Sequence, residues 1–364
     1  MEVKLLNIVK NEITRDRKPA ARRNPTFYPS SASAEMPDGT ILGGCQRADW
    51  YRIHNVKPSN GAEFYMHFIW HLGRAVESKV IDAMKCAGVY ENDGVKFFDR
   101  ELNVSGELDI VGRYRKDGKV RYYGVEVKSV YGIGCTYTIT GRKRAWKGQA
   151  AFDPFPKESN LMQTMVYLDQ FGSDMEERYQ LDYFKLLYLP RDKPNDGREY
   201  NVCLVTKDDL GSAMLLKYGP EMTDGEHYAY VSTADFSDKI ETRFSIEDLY
   251  RRWGLLKRYI EEDIAPPRAH KKFFSEKEIN QKREDGKIGK TAFEKWEKAG
   301  KPKSSLEKTP GHYMCQSYCD YRSFCYTKTG QPRKEADQVG LVQVSEPKEI
   351  SYGEAKNTEE GHTA

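Results

Sequence analysis

GELDIVGRYRKDGKVRYYGVEVKSV, residues 106–130, reads as two strands joined by a tight turn. Apolar and polar residues alternate on either side of Asp117-Gly118, a pair that suits a two-residue hairpin because it tolerates positive φ. Asp109 lies on the first strand, and Glu126 and Lys128 lie two apart on the second, so they project from one face of the sheet. Leu108 and Ile110 flank Asp109, while Val125 and Val127 alternate with Glu126 and Lys128, as in central strands. Taken alone, Glu-Val-Lys is also what an exposed strand of alternating charge would show. Two carboxylates converging beside a lysine are nevertheless the donor set of metal-assisted phosphodiester hydrolysis. The carboxylates are hard oxygen ligands for Mg²⁺ or Mn²⁺, and an ammonium can orient water or offset charge on phosphate.

Upstream, residues 63–87 place Ile69, Leu72, Val76, Val80 and Met84 at helical spacing, predicting a long amphipathic helix that stops at Gly88. A strand, VKFFDREL (95–102), follows. Downstream, ESNLMQTMVYLDQFG (158–172) returns to helical spacing, and LDYFKLLYLP and REYNVCLVT read as further strands. Ser245, followed three residues later by Asp248, caps a later helix. Helix, meander, helix, strands implies an α/β fold with a central mixed sheet flanked by helices, and not a doubly wound nucleotide fold. Residues 1–40 are expected to be an N-terminal basic arm, 41–330 the main domain with a helical or inserted region at about 208–303, and 331–364 a disordered tail.

No run approaches the roughly 18 apolar residues of a membrane span, and the first residues lack the apolar core of a secretory signal. The expected compartment is a reducing cytoplasm. There, seven cysteines point to metal binding rather than a disulfide framework. CQSYCDYRSFC carries Cys315, Cys319 and Cys325 at C-x₃-C-x₅-C, a spacing of no common zinc finger. Cys86 and Cys203 are expected to be buried as small hydrophobes, and Cys135 has no assigned role. The formal charge is only +3, but positive residues cluster at RDRKPAARR (15–23), GRKRAWKG (141–148) and along Arg268–Lys303. Within the long connection 129–157, Arg142, Lys143, Arg144 and Lys147 lie beside Trp146 and other aromatics. That mixture fits a DNA-contacting loop, with cations for phosphates and rings for unpaired bases. DGKIGKT (285–291) fails as a phosphate loop because Glu284 stands where glycine is required and no apolar strand precedes it. No ATPase motor is therefore expected.

Asp109 with Glu126-Val127-Lys128 resembles the signature of the PD-(D/E)xK nuclease superfamily, with Leu108 in place of the proline. Gln163-Thr-Met-Val-Tyr167 is similar to the Q-x-x-x-Y motif of its RecB-like branch, and four residues apart on a helix the two side chains share a face. The resemblance implies a restriction-endonuclease-like core in which Asp109, Glu126 and the Val127 carbonyl hold Mg²⁺ or Mn²⁺. Gln163 would position Lys128 or a phosphate, and Tyr167 would contact DNA. The branch's G-x-x-x-H corresponds to Gly73–Glu77, so Glu77 would replace the histidine ligand, with His71 and His67 as weaker substitutes. Cys45, in GGCQRADWYR, resembles the first-cysteine motif C-x-R-x-x-[WY] of the iron–sulfur RecB-like nucleases, which include AddB and the type-four CRISPR-associated exonucleases. In these, three further cysteines follow the core, commonly as C-x₂-C-x₅-C; here the first gap is one residue longer. By that resemblance Cys45, Cys315, Cys319 and Cys325 would hold a [4Fe-4S] cluster, or else zinc, and clip the ends of the domain together. The implied function is a metal-dependent DNA exonuclease acting on ends or single strands in recombination, repair or phage DNA processing. Any helicase or recombinase would be a separate partner. A site-specific or structure-specific endonuclease and a non-catalytic DNA-binding assembly module are the alternatives.

Overall fold

A computed structural model describes residues 26–59, 64–143, 151–172, 179–192, 196–233, 236–286, 288–312, 315–316 and 319–325. The chain begins with β1 (Ser33–Glu35), β2 (Ile41–Gly43), α1 (Gln46–Ile53), α2 (Phe64–Cys86), β3 (Tyr90–Asp99), β4 (Val104–Lys116) and β5 (Lys119–Val130). It continues with α3 (Glu158–Gly172), β6 (Leu181–Pro190), β7 (Arg198–Val205), α4 (Ser212–Tyr218), β8 (Tyr228–Thr233) and β9 (Phe236–Glu241). The last elements are α5 (Ile246–Glu261), α6 (Glu276–Glu284), α7 (Lys290–Lys298) and α8 (Arg322–Cys325).

Strands β3 to β9 form a seven-stranded sheet in chain order. The β4–β5 turn takes positive φ at Asp117 (52°) and Gly118 (75°), as its sequence requires. Neighbouring strands are antiparallel except β5 and β6. That parallel pair needs a crossover, and α3 supplies it. The sheet is therefore mixed and flanked by helices.

The main core lies between one sheet face and α3, α5 and the β1–β2 hairpin, with Leu161, Met165, Phe171, Phe184, Leu186 and Leu249 all fully buried. Each such side chain contributes on the order of 1.5–3 kcal/mol over leaving it in water. A smaller cluster on the opposite face joins Ile110, Tyr123 and Val125 to Val80, Ile81 and Met84 of α2. The Ser245–Asp248 capping box forms in both directions, at 3.2 and 3.0 Å, and fixes the start of α5.

Three expectations need correction. The arm expected over residues 1–40 is part of the body from Thr26 onward: Phe27, Ala32 and Ala34 are buried, and Phe27 stacks on Trp253 at 6.3 Å. Strands of three residues among Pro and Ser carry too little periodicity to be seen in sequence. The span read as a helical insert supplies β8 and β9 to the sheet, and only α6 and α7 stand apart, around Ile279, Ile288 and Trp296. Cys86 is exposed and Cys203 half-buried; Cys86 is the last residue of α2 and lies off the Val80, Ile81 and Met84 stripe that packs on the sheet. The expected tail, 331–364, lies outside the described residues. Among the described residues no helix is long and apolar enough to cross a membrane.

Candidate active site

The register of β4 on β5 runs from Lys116↔Lys119 to Ile110↔Val125 and stops there. Yet β4 continues beside β3 to Val104↔Asp99, and β5 continues beside β6 to Val130↔Pro190. The two central strands thus part company, and their polar residues line the fork. The N–H of Val127, a ladder donor left without a β4 carbonyl, is met by Asp109 Oδ2 at 3.4 Å. Glu126, 3 % exposed, lies beside it on the α3 face.

Lys128 Nζ donates to Glu126 Oε1 and, at 3.2 Å, to Gln163 Oε1. Gln163 Nε2 donates to Glu126 Oε1 at 3.0 Å and to Tyr167 Oη at 3.3 Å, and Tyr167 Oη donates to the Glu107 carbonyl at 2.9 Å. This chain fixes the Gln163 amide, since a flipped amide would set its NH₂ against the lysine ammonium. Gln163 therefore positions Lys128. Tyr167 differs from its expected role: 3 % exposed, between Phe97 and Phe184, it is turned into the protein and cannot contact DNA. Its hydroxyl orients Gln163 instead.

Burial, then the carboxylates of Glu126 and Glu77, push the Asp109 pKa up to about 8, while Lys128 and the Val127 N–H pull it down. Glu77, half-buried on α2, is raised by burial and then by Glu126, with Lys128 opposing and Asp93 and Glu107 adding to the crowding. The structure therefore brings Glu77 to the fork. His71 is engaged by Arg74 at 3.0 Å, and His67 packs on the Trp70 edge at 4.9 Å. The sequence reading passed over Glu107 and Asp93. Glu107, two residues before Asp109, was available from the same period-two pattern, whereas Asp93 is brought in only by its pairing with Ile110.

No family model and no curated protein matches this chain in sequence.

Among the described residues no group of three or more His, Cys, Asp or Glu side chains forms a ready-made cage for a metal ion. What favours a cation at the fork is its donor chemistry. Glu126 Oε2 is buried and has no hydrogen-bond partner among the described residues, and Asp109 is forced towards its protonated form first by burial and then by the like charge of Glu126 and Glu77. A divalent cation would relieve both. The raised Asp109 pKa also gives a stability prediction. The folded protein retains the Asp109 proton up to about pH 8, whereas the unfolded chain releases it at the ordinary 3.8. This contribution to stability is complete below about pH 4 and lost as pH rises through about 8. Metal-free Asp109→Asn should therefore gain Tm over the wild type from pH 5 to pH 8, then hold a constant advantage. Mn²⁺ should raise the wild-type Tm at pH 8.5 and leave that of the variant nearly unchanged, both read by thermal unfolding.

Cys45, Cys315, Cys319 and Cys325 all line one small cavity, beside Tyr51, Arg268 and Arg322. No disulfide joins any of the seven cysteines. Burial raises the thiol pKa of Cys45, and raises that of Cys319 to about 11, with the neighbouring thiols adding to it. The longer first gap of the motif still delivers Cys319 to the cavity. Arg47, 1 % exposed, donates to the Pro266 carbonyl at 2.8 Å and to Tyr51 Oη at 3.1 Å, tying the first cysteine's helix to the 266–272 segment. Arg268 Nη2 donates to the Cys325 carbonyl at 2.9 Å, and Lys272 Nζ to the Arg322 carbonyl at 3.1 Å. These bonds stitch the chain's C-terminal cysteines to the same segment. Sulfur donors with cations around them have the chemistry that an iron–sulfur cluster or zinc would take, but among the described residues no three of these side chains are arranged to hold a metal ion.

Of the expected DNA-contacting residues, Arg142 bridges Phe152 through paired backbone bonds of 2.8 and 3.0 Å and lays its guanidinium 5.2 Å from that ring. Lys143 is exposed. Arg144, Trp146 and Lys147 lie outside the described residues. Cys135 is buried, with its sulfur 3.6 Å from Asp192 Oδ1.

Proposed function

We propose that this protein is a metal-dependent DNA nuclease of the RecB-like PD-(D/E)xK type, most naturally an exonuclease acting on DNA ends or single strands. The observation that carries this reading is Glu126: Oε1 is shared by Lys128 and Gln163, while Oε2 is buried without a hydrogen-bond partner among the described residues. A carboxylate kept only for structure would use both oxygens, because an unsatisfied buried acceptor costs about 1–3 kcal/mol, and more when charged. Asp109 and Glu126, with Glu77 as a third ligand and the Val127 carbonyl as a further one, would hold Mg²⁺ or Mn²⁺. The bound ion would acidify water and offset charge on the phosphate. Lys128, fixed by Gln163, would keep its ammonium at the fork to orient the nucleophile. Arg142 and Lys143 begin the loop that would meet phosphates.

Cys45, Cys315, Cys319 and Cys325 would hold a [4Fe-4S] cluster, with zinc as the other occupant of such a set. The role is structural, and a reducing cytoplasm is the compartment that suits the thiols. Recombination, repair or phage DNA processing is the setting, with a separate helicase or recombinase as partner.

End-labelled linear DNA and covalently closed circles, incubated with Mg²⁺ or Mn²⁺, test the reading. Progressive shortening of the linear DNA with intact circles is expected. Nicked circles or discrete fragments would make the enzyme an endonuclease, and DNA bound but intact would make it an assembly module.

A further inference from the structure

We propose that the N-terminal half of α2 is a stacking platform for an unpaired DNA base, with Trp70 as its stacking face; this rests on the nuclease reading. At 3.6 residues per turn, Met66, Trp70, Gly73, Glu77, Val80 and Met84 fall on one stripe of α2. The C-terminal part of that stripe packs against Ile110 and Val125, and Glu77 stands among the charges of the fork. N-terminal to Glu77 no residue of the stripe joins that sheet-packed cluster. Trp70 is 48 % exposed, and a Cβ added at Gly73 would meet nothing within 4 Å.

The stripe that buries α2 at one end thus presents a bare indole at the other. Trp70 is two turns from Glu77, about 10 Å along the axis. The indole is held edge-on by His67, at 4.9 Å and 83°. On its flank Arg74 is exposed and braced by His71 at 3.0 Å, placed to meet a backbone phosphate. Gly73, between Trp70 and Glu77, leaves room for the strand to pass. Bases inside a duplex are stacked on both faces and only its end pairs are open on one side, whereas every unpaired base can offer a face. The platform therefore selects single-stranded DNA and guides it towards Glu77, Asp109 and Glu126.

Fluorescence anisotropy with a labelled oligothymidine and a labelled blunt duplex, in Ca²⁺, tests this in the full chain. Trp70→Ala should weaken oligothymidine binding about 10-fold and duplex binding less than about 2-fold, and Trp70→Phe should restore binding to within about 3-fold of wild type. Unchanged oligothymidine binding by Trp70→Ala, or equal weakening on both DNAs, would overturn the platform while wild-type cleavage leaves the nuclease reading intact. A wild-type protein that neither binds nor cleaves DNA would overturn both.

Discussion

Replacing Lys128 with alanine is expected to slow metal-dependent DNA cleavage by about 10²–10³-fold, the usual loss when a positioned charge is removed from a reacting centre. The ammonium is held by two acceptors, Glu126 Oε1 and Gln163 Oε1, so its position is set before substrate arrives. Its removal takes the cationic partner from Glu126, whose Oε1 still accepts from Gln163 Nε2 at 3.0 Å. Metal affinity should therefore persist or rise, and the loss should fall on kcat rather than KM. Arginine should not rescue the rate, because a planar guanidinium cannot occupy the point position of an ammonium between these two oxygens. Single-turnover cleavage at saturating Mn²⁺ reads the effect. Thermal unfolding in Mn²⁺ keeps the comparison fair, since Glu126 loses its counterion. A variant that folds, binds Mn²⁺ and cleaves at the wild-type rate would remove Lys128 from the chemistry.

The second large effect is expected at Cys45, the only one of the four cavity cysteines that precedes the sheet. A group bound by Cys45 and by Cys315, Cys319 and Cys325 would close a loop around the whole sheet. By analogy with crosslink entropy that closure contributes on the order of 4 kcal/mol. Cys45→Ser should therefore lower the Tm of anaerobically purified protein by roughly 10 °C and abolish its visible absorbance, iron and sulfide. Loss of stoichiometric zinc, with no iron in the wild type, would assign the site to zinc. An unchanged Tm and metal content would take Cys45 out of the set. Cys86→Ser is the matched control, because that thiol is exposed at the end of α2.

The β4–β5 hairpin was legible because its Asp-Gly turn and its period-two alternation are local signals. So were the helical spacing of α2 and α3 and the Ser245–Asp248 box. The fork was not legible, because the parting of β4 from β5 beyond Ile110 and Val125 depends on each strand following its outer neighbour. The role of Tyr167 was misread for a related reason. Sequence places it on the face of Gln163, but only the packing of Phe97 and Phe184 decides that its hydroxyl points to Glu107. Arg47 and Trp50 stood in the sequence as unexplained members of a motif. Their bonds to the Pro266 and Tyr259 carbonyls, at 2.8 and 3.4 Å, give them a structural reason.

The fork of β4 and β5 is proposed as a metal-dependent nuclease centre. Time courses of a 5′-labelled single strand in Mn²⁺, with wild type and Asp109→Ala side by side, test it most directly. The wild type should shorten the strand progressively and Asp109→Ala should leave it intact; equal cleavage by the two proteins would contradict the claim.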